Sequence, residues 1–188
     1  MQESKIRAFI AIDIPADIKS KIIELSKGLN SSGIKPVGPE QLHITLFFLG
    51  YVDAEQIASV KLALSKMQVR SFSVDLNGIG TFDPRNPRIV FINIAKGSEE
   101  LKKIYADLSG DISALRIRMD ERAFAPHITI ARLKRSAGEE VRAVNALIES
   151  HSHHDFGSFA CTCIKLKQSV LASEGPAYTD LFVKELTA

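Results

Sequence analysis

The chain is poor in cysteine. Its 188 residues include two cysteines, which stand close together as Cys161-Thr162-Cys163. The pair lacks the Cys-x₂-Cys spacing of zinc sites, and two cysteines are too few for the disulfide framework of a small secreted protein. We therefore expect two buried, reduced thiols.

A long apolar run is also missing. No stretch approaches the ~18 consecutive apolar residues of a membrane-spanning helix. The first residues, Met1–Lys5, lead directly into a strand-like segment and do not form the charged region, apolar core and cleavage site of a signal peptide. These features predict a cytoplasmic protein that does not contact a membrane.

The chain has little excess charge of either sign, because its formal net charge is +2 at pH 7. This value argues against a strong nonspecific nucleic-acid binder, although a local basic patch could still receive phosphate. The 45% hydrophobic and 24% charged residues are typical of a soluble globular protein and exclude disordered and fibrous classes.

Several common nucleotide-binding and nucleophile motifs are absent. The sequence contains no Gly-x₄-Gly-Lys-Ser/Thr loop, no Gly-x-Gly-x-x-Gly fingerprint and no Gly-x-Ser-x-Gly elbow. It also lacks a Gly/Ser-rich linker or a charge block that would separate domains. Residues 1–188 are therefore predicted to form a single bilobal domain.

What the chain does contain is a repeated tetrapeptide, His43-Ile44-Thr45-Leu46 and His127-Ile128-Thr129-Ile130. Side chains alternate along a β-strand, so each copy would present an imidazole and a hydroxyl on one face while its Ile points into a core. Two such strands facing each other would form a paired-histidine site.

Helical periodicity occurs in four segments, and the second and fourth open with capping pairs, Asp53 with Gln56 and Ser136 with Glu139. Runs of β-branched and aromatic residues predict seven strands, and a turn-rich segment between the third and fourth indicates a long hairpin. The helices begin after Pro15, at Asp53, near Ser98 and at Ser136; the strands are Ile6–Ile14, Leu42–Leu49, Ser71–Ile79, Ile89–Ile94, Ala123–Leu133, Phe159–Leu171 and Tyr178–Leu186.

The order of these elements indicates an internal duplication. Each motif strand has a helix before it and a helix after it, so the two halves of the chain superpose in element order. We therefore predict an α+β fold with two antiparallel sheets, helices on the outside and the two motifs meeting in a central cleft.

Two histidines and two threonines suit displacement at phosphorus. An imidazole titrates near pH 6.5, so one histidine can accept a proton while the other donates one. The hydroxyls of Thr45 and Thr129 would bind non-bridging phosphate oxygens. A histidine metal site would usually recruit a third ligand, and neither motif offers an adjacent one, so no metal is expected.

The residues around the motifs, Glu40–Gly50 and Ala125–Arg132, resemble those of the 2H phosphoesterases. Within that group the chain is similar to the RNA 2',3'-cyclic phosphodiesterases, which are also described as 2'-5' RNA ligases. Two further segments agree with this resemblance, Arg7–Ile12 and Gly175–Leu181.

The resemblance implies a LigT-like bilobal fold and hydrolysis of RNA or nucleoside 2',3'-cyclic phosphates to 2'-phosphates, with reversible 2'-5' ligation as a companion activity. It implies catalysis by His43 and His127, no cofactor, an RNA end or cyclic nucleotide as partner, and a monomer. It also adds Arg132 as a phosphate ligand. On an ideal strand Arg132 faces away from His127, so its recruitment needs a twist, a bulge or an early strand end.

Other interpretations remain open. The same fold could bind nucleotides or RNA ends without turnover, and symmetric motifs do not reveal which histidine is the acid. By strand parity Phe47 shares the face of His43 and could stack on a base, although the core is the commoner place for phenylalanine. The segment His151–His154 is predicted as a polar loop rather than a metal site.

Overall fold

The computed structural model describes residues 5–29, 33–117, 123–134, 138–172 and 175–188. Four α-helices and nine β-strands occur in these ranges. The helices are α1 (Ala16–Ser26), α2 (Ala54–Lys66), α3 (Ser98–Ala114) and α4 (Gly138–Ser150); the strands are β1 (Ile6–Asp13), β2 (Ile34–Pro36), β3 (His43–Val52), β4 (Phe72–Thr81), β5 (Ile89–Lys96), β6 (His127–Leu133), β7 (Asp155–Cys161), β8 (Cys163–Ala172) and β9 (Gly175–Glu185).

Helix α2 shows how the local sequence sets an element. The Asp53 side chain accepts a hydrogen bond from the backbone N–H of Gln56 at 2.9 Å, and the Gln56 side chain accepts one from the backbone N–H of Asp53 at 3.1 Å. This reciprocal cap, typically worth about 1 kcal/mol, confirms the predicted pair. The second predicted pair involves Ser136, which lies outside the described residues. Within the described ranges no helix combines the length and apolar composition needed to cross a membrane.

The strands form one antiparallel arrangement made of two half-sheets. The order is β7-β4-β5-β6-β3-β1-β8-β9, and β2 pairs with the last three residues of β6, Ala131–Leu133. The β3 half contains β3, β1, β8 and β9, and the β6 half contains the other strands. The halves join at a seam between the motif strands, where Ile44 pairs with Ile128. The two predicted sheets are therefore continuous with each other at this seam.

Both motif strands contain a β-bulge at the same position. In β3, Thr45 lies opposite Ala11 of β1 but Phe47 lies opposite the adjoining Ile10, so Leu46 is an extra residue. In β6, Thr129 lies opposite Phe91 of β5 but Ala131 lies opposite the adjoining Val90, so Ile130 is the extra residue. A bulge reverses the face on which the side chains that follow it lie. Leu46 and Phe47 are accordingly both buried, as are Ile130 and Ala131.

Several predicted boundaries differ from the structure. The predicted strand Phe159–Leu171 is two strands, β7 and β8, which separate at Thr162 and belong to different half-sheets. Neither Gly nor Pro marks this change, so the β-rich pattern appears continuous. Strand β2 is too short to show a period, and β6 begins at His127 rather than Ala123. The predicted central hairpin is confirmed by the pairing of β4 with β5.

The cysteines lie at the junction of β7 and β8. Both are unpaired, as predicted, but Cys161 is buried whereas Cys163 is only partly buried. Burial raises the pKa of the Cys161 thiol to about 12. This thiol is therefore protonated and unreactive near neutral pH.

Candidate active site

The seam between the half-sheets brings the two motifs together. Ile44 pairs with Ile128 in an antiparallel register. Continued by one residue on each side, this register sets His43 opposite Thr129 and Thr45 opposite His127. The Ile side chains are fully buried, so the four polar side chains share the other face, which we call the motif face. Diagonal neighbours in such a register have Cα atoms roughly 7–8 Å apart, which sets the spacing of the histidines.

The seam also has the symmetry that a duplication requires. Ile44 and Ile128 are equivalent residues of the two motifs, and they pair with each other. A pseudo-two-fold axis therefore passes between them, and it relates the His and Thr of one motif to those of the other.

His43 is held by aromatic packing. Its ring centroid lies 5.0 Å from that of Phe9 and 5.5 Å from that of Tyr178. Its Nδ1 atom is buried and forms no hydrogen bond to any residue that the structure describes. Burial disfavours the charged ring and lowers the pKa of His43 to about 4. The Asp13 carboxylate opposes this shift, while the charges of Lys167, Lys19 and Arg132 add to it.

His127 has a different environment. Its Nδ1 lies 2.7 Å from the carbonyl oxygen of Ala125, so Nδ1 donates a hydrogen bond and the neutral ring presents a lone pair at Nε2. The rings of Phe82 and Phe91 contact the imidazole, each with centroids 5.1 Å away. Burial lowers the pKa of His127, the Ala125 hydrogen bond raises it, and Arg132 lowers it further.

The bulge in β6 places Arg132 on the motif face. Without the bulge, strand parity would direct this side chain away from His127. Its charge acts on His43, His127 and Tyr178. Lys35 of β2 lies opposite Arg132 and shares its face. Sequence patterns gave no signal for Lys35, because β2 has three residues.

The bulge in β3 exchanges the roles of two phenylalanines. Phe47 is 4% exposed and stacks on Tyr105 with centroids 4.4 Å apart. It therefore lies in the core, the commoner place for a phenylalanine, and the face of His43 that strict parity assigned to it is wrong. Phe48 lies on the motif face and is 64% exposed. Phe48 and Arg132 each follow their motif histidine by five residues, and superposing the two motifs would have indicated their equivalence.

An ion cluster lies beside the β3 motif. Lys165 contacts Asp13 at 2.8 Å and Asp180 at 2.7 Å. Lys167 contacts the same carboxylates at 3.0 Å and 2.6 Å. We call these four residues the ion quartet. They come from β1, β8 and β9, so no local sequence pattern could reveal them.

The remaining sequence candidates lie elsewhere. His151 and His154 have ring centroids 5.4 Å apart in the loop after α4, as predicted for a polar loop. The described part of the chain contains no cluster of three potential metal ligands.

Two His-x-Thr strands that meet on one face of an antiparallel sheet, around a pseudo-two-fold axis, define the 2H phosphoesterase class. Comparison with known proteins agrees. Residues 13–179 match the family model described as the AKAP7 2'5' RNA ligase-like domain. The chain therefore belongs to the 2'5' RNA ligase-like family of these phosphoesterases.

Two relatives and one solved structure are similar to this chain over nearly their whole lengths. The chain is 36% identical to an RNA 2',3'-cyclic phosphodiesterase of Archaeoglobus fulgidus over 95% of this chain and 99% of the relative. It is also 36% identical to one from Methanocaldococcus jannaschii, over 92% and 96%. Among solved structures, E. coli LigT complexed with 3'-AMP has 26% identity and a TM-score of 0.79 over 98% of this chain and 99% of LigT.

Proposed function

We propose that the protein hydrolyses the 2',3'-cyclic phosphate of RNA ends, or of nucleoside 2',3'-cyclic phosphates, to a 2'-phosphate without a metal ion. The observation that supports this most strongly is the register at the seam, which sets His43 and His127 diagonally on one face. The name RNA 2',3'-cyclic phosphodiesterase of the archaeal relatives supports the same activity.

The two histidines have unequal roles in this proposal. His127 presents an Nε2 lone pair because Nδ1 donates to Ala125, so His127 acts as the base that takes a proton from the attacking water. The water oxygen bonds to phosphorus and the bond to O3' breaks. His43, in its protonated form, donates the proton that O3' requires.

The other motif-face residues bind the phosphate. Thr45 and Thr129 donate hydrogen bonds to the non-bridging oxygens, on which charge redistributes during displacement. The Arg132 guanidinium, which the bulge directs to this face, stabilises the same oxygens as a charged donor.

The negative charge of the substrate favours the protonated form of the acid, His43. Burial lowers the pKa of both histidines, so both are neutral near pH 7 in the free protein. A phosphodiester carries a negative charge, and its approach favours protonation of an adjacent imidazole. The active combination of a neutral base and a charged acid therefore forms in the complex.

The same chemistry can join RNA ends. If an RNA 5'-hydroxyl replaces water, His127 accepts its proton, the oxygen bonds to phosphorus and O3' leaves with the proton of His43. The product is a 2'-5' linkage, and the reverse reaction exchanges the two proton-transfer roles.

The decisive experiment is turnover of adenosine 2',3'-cyclic phosphate in excess EDTA. The wild-type protein should produce adenosine 2'-monophosphate, and His43→Ala or His127→Ala should each lower kcat by about 10²- to 10⁴-fold. His153→Ala changes a histidine in the loop after α4 and is the matched control.

Loss of activity in EDTA, or activity that survives the double substitution of His43 and His127, would contradict the mechanism. Tight binding of adenosine 2'-monophosphate with no turnover of any cyclic phosphate would favour the alternative, a nucleotide- or RNA-end-binding module.

A further inference from the structure

The ion quartet is built as a closed unit on the motif face. Each of its lysines contacts both carboxylates, and each carboxylate contacts both lysines. Lys167 is 7% exposed, so these contacts are substantially shielded from water. Burial opposes ionisation of Asp13, but the hydrogen bonds from Lys165 and Lys167 hold the pKa of its carboxyl below the ordinary value. Asp13 is therefore charged and fixed in position at neutral pH.

Asp13 lies directly opposite His43 in the pairing of β1 with β3. Side chains of opposed residues in an antiparallel pair point to the same face, with Cβ atoms roughly 4.5–5.5 Å apart. The buried Nδ1 of His43, which forms no hydrogen bond to a described residue, is thus on the same side of the sheet as this carboxylate.

The other charges that act on His43 are positive. They come from Lys167 on β8, Lys19 on α1 and Arg132 on β6. Tyr178 on β9 contacts the imidazole through its ring. In these surroundings a protonated His43 needs a negative partner, and Asp13 supplies that charge.

We propose that Asp13 is a positioning residue of this active site, whose carboxylate, fixed by Lys165 and Lys167, stabilises the protonated form of His43 during turnover. The inference rests on the proposed function, in which His43 protonates the leaving oxygen. Asp13 touches neither the phosphate nor the leaving group, so it acts through His43.

Asp180 provides a matched control. Both carboxylates contact Lys165 and Lys167, and both side chains are 34% exposed. Asp13→Asn and Asp180→Asn therefore each remove one negative charge from the ion quartet. In each variant, Lys165 and Lys167 keep the other carboxylate as their partner. The variants differ in that Asp13 lies opposite His43, so a difference between them isolates the effect of Asp13 on the histidine.

The first measurement is an NMR titration of the His43 ring in protein saturated with adenosine 2'-monophosphate. Asp13→Asn should lower the pKa of His43 by about one unit, whereas Asp180→Asn should leave it near the wild-type value. In the kcat profile of cyclic phosphate hydrolysis, Asp13→Asn should shift the alkaline limb to lower pH and reduce kcat about tenfold at pH 8, with KM little changed.

Equal His43 titrations in the two variants would overturn the proposal, even if both lose stability, because the quartet would then be purely structural. The titration needs no turnover, so failure of the proposed activity and failure of this inference give different results. If the single variants do not fold, Asp13→Asn with Lys167→Gln and Asp180→Asn with Lys167→Gln replace them. Each double variant retains one ion pair through Lys165 and must show the same contrast.

Discussion

At the scale of single residues, the two motif histidines are alike in sequence and unlike in environment. His127 is oriented by the Ala125 carbonyl, two residues earlier in the chain. His43 is oriented by the rings of Phe9 and Tyr178, which come from distant strands. The repeated motif predicted which residues pair, but the asymmetry depends on tertiary neighbours that a tetrapeptide does not encode.

The burial of His43 predicts a pH-dependent stability. Its pKa is about 4 in the folded protein and 6.5 as the ordinary value. Above pH 6.5 the ring is neutral in both states, and between pH 6.5 and 4 the unfolded chain binds a proton that the native protein does not. The free energy of unfolding therefore falls as the pH decreases from 6.5 to 4, and below pH 4 His43 changes it no further.

Urea unfolding at pH 7 and pH 4.5 measures this contribution. Between the two pH values, the free energy of unfolding should fall by about 2 kcal/mol more in the wild-type protein than in His43→Gln. Carboxylates and the other histidines contribute equally to both proteins, so the difference reports on His43. An equal loss in both proteins would show that His43 titrates normally in the native state.

At the scale of elements, the bulges decide which side chains reach the motif face. Strict alternation predicts His43 and Thr45 correctly because they precede the bulge, and it fails at Phe47 because that residue follows it. The same displacement turns Arg132 of β6 to the motif face. A bulge depends on the register of the partner strand, so one strand's sequence does not reveal it.

This arrangement predicts that substitution of Phe47 affects stability, whereas substitution of the adjacent Phe48 affects substrate binding. Phe47→Ala should lower the free energy of unfolding by about 3–5 kcal/mol, because Phe47 is buried against Tyr105. Phe48→Ala should change stability by no more than about 0.5 kcal/mol. If Phe48 stacks on the base, its loss should raise KM for adenosine 2',3'-cyclic phosphate roughly 5- to 150-fold.

Ribose 2',3'-cyclic phosphate, which has no base, serves as the control substrate. Phe48→Ala should leave its KM unchanged. A similar rise in KM for both substrates would show that Phe48 shapes the phosphate site rather than a base site.

At the scale of the whole molecule, the chain crosses between the half-sheets repeatedly. Strands β1, β3, β8 and β9 belong to the β3 half, whereas β2 and β4 to β7 belong to the β6 half. Element order in the sequence predicted the duplication but not this exchange, because strand partners depend on contacts between distant segments. One hydrophobic cluster includes residues of both halves.

The shared core predicts that both halves unfold together. Leu76 of β4 and Ile10 of β1 are fully buried in opposite halves of that cluster. Leu76→Ala and Ile10→Ala should each lower the free energy of unfolding by about 2–5 kcal/mol. In urea titrations at pH 7, the ring signals of His43 and His127 report on the two halves, and each variant should shift both midpoints equally. If Leu76→Ala shifted the His127 midpoint and left that of His43 in place, the halves would be independent folding units, and the single-domain prediction would be wrong.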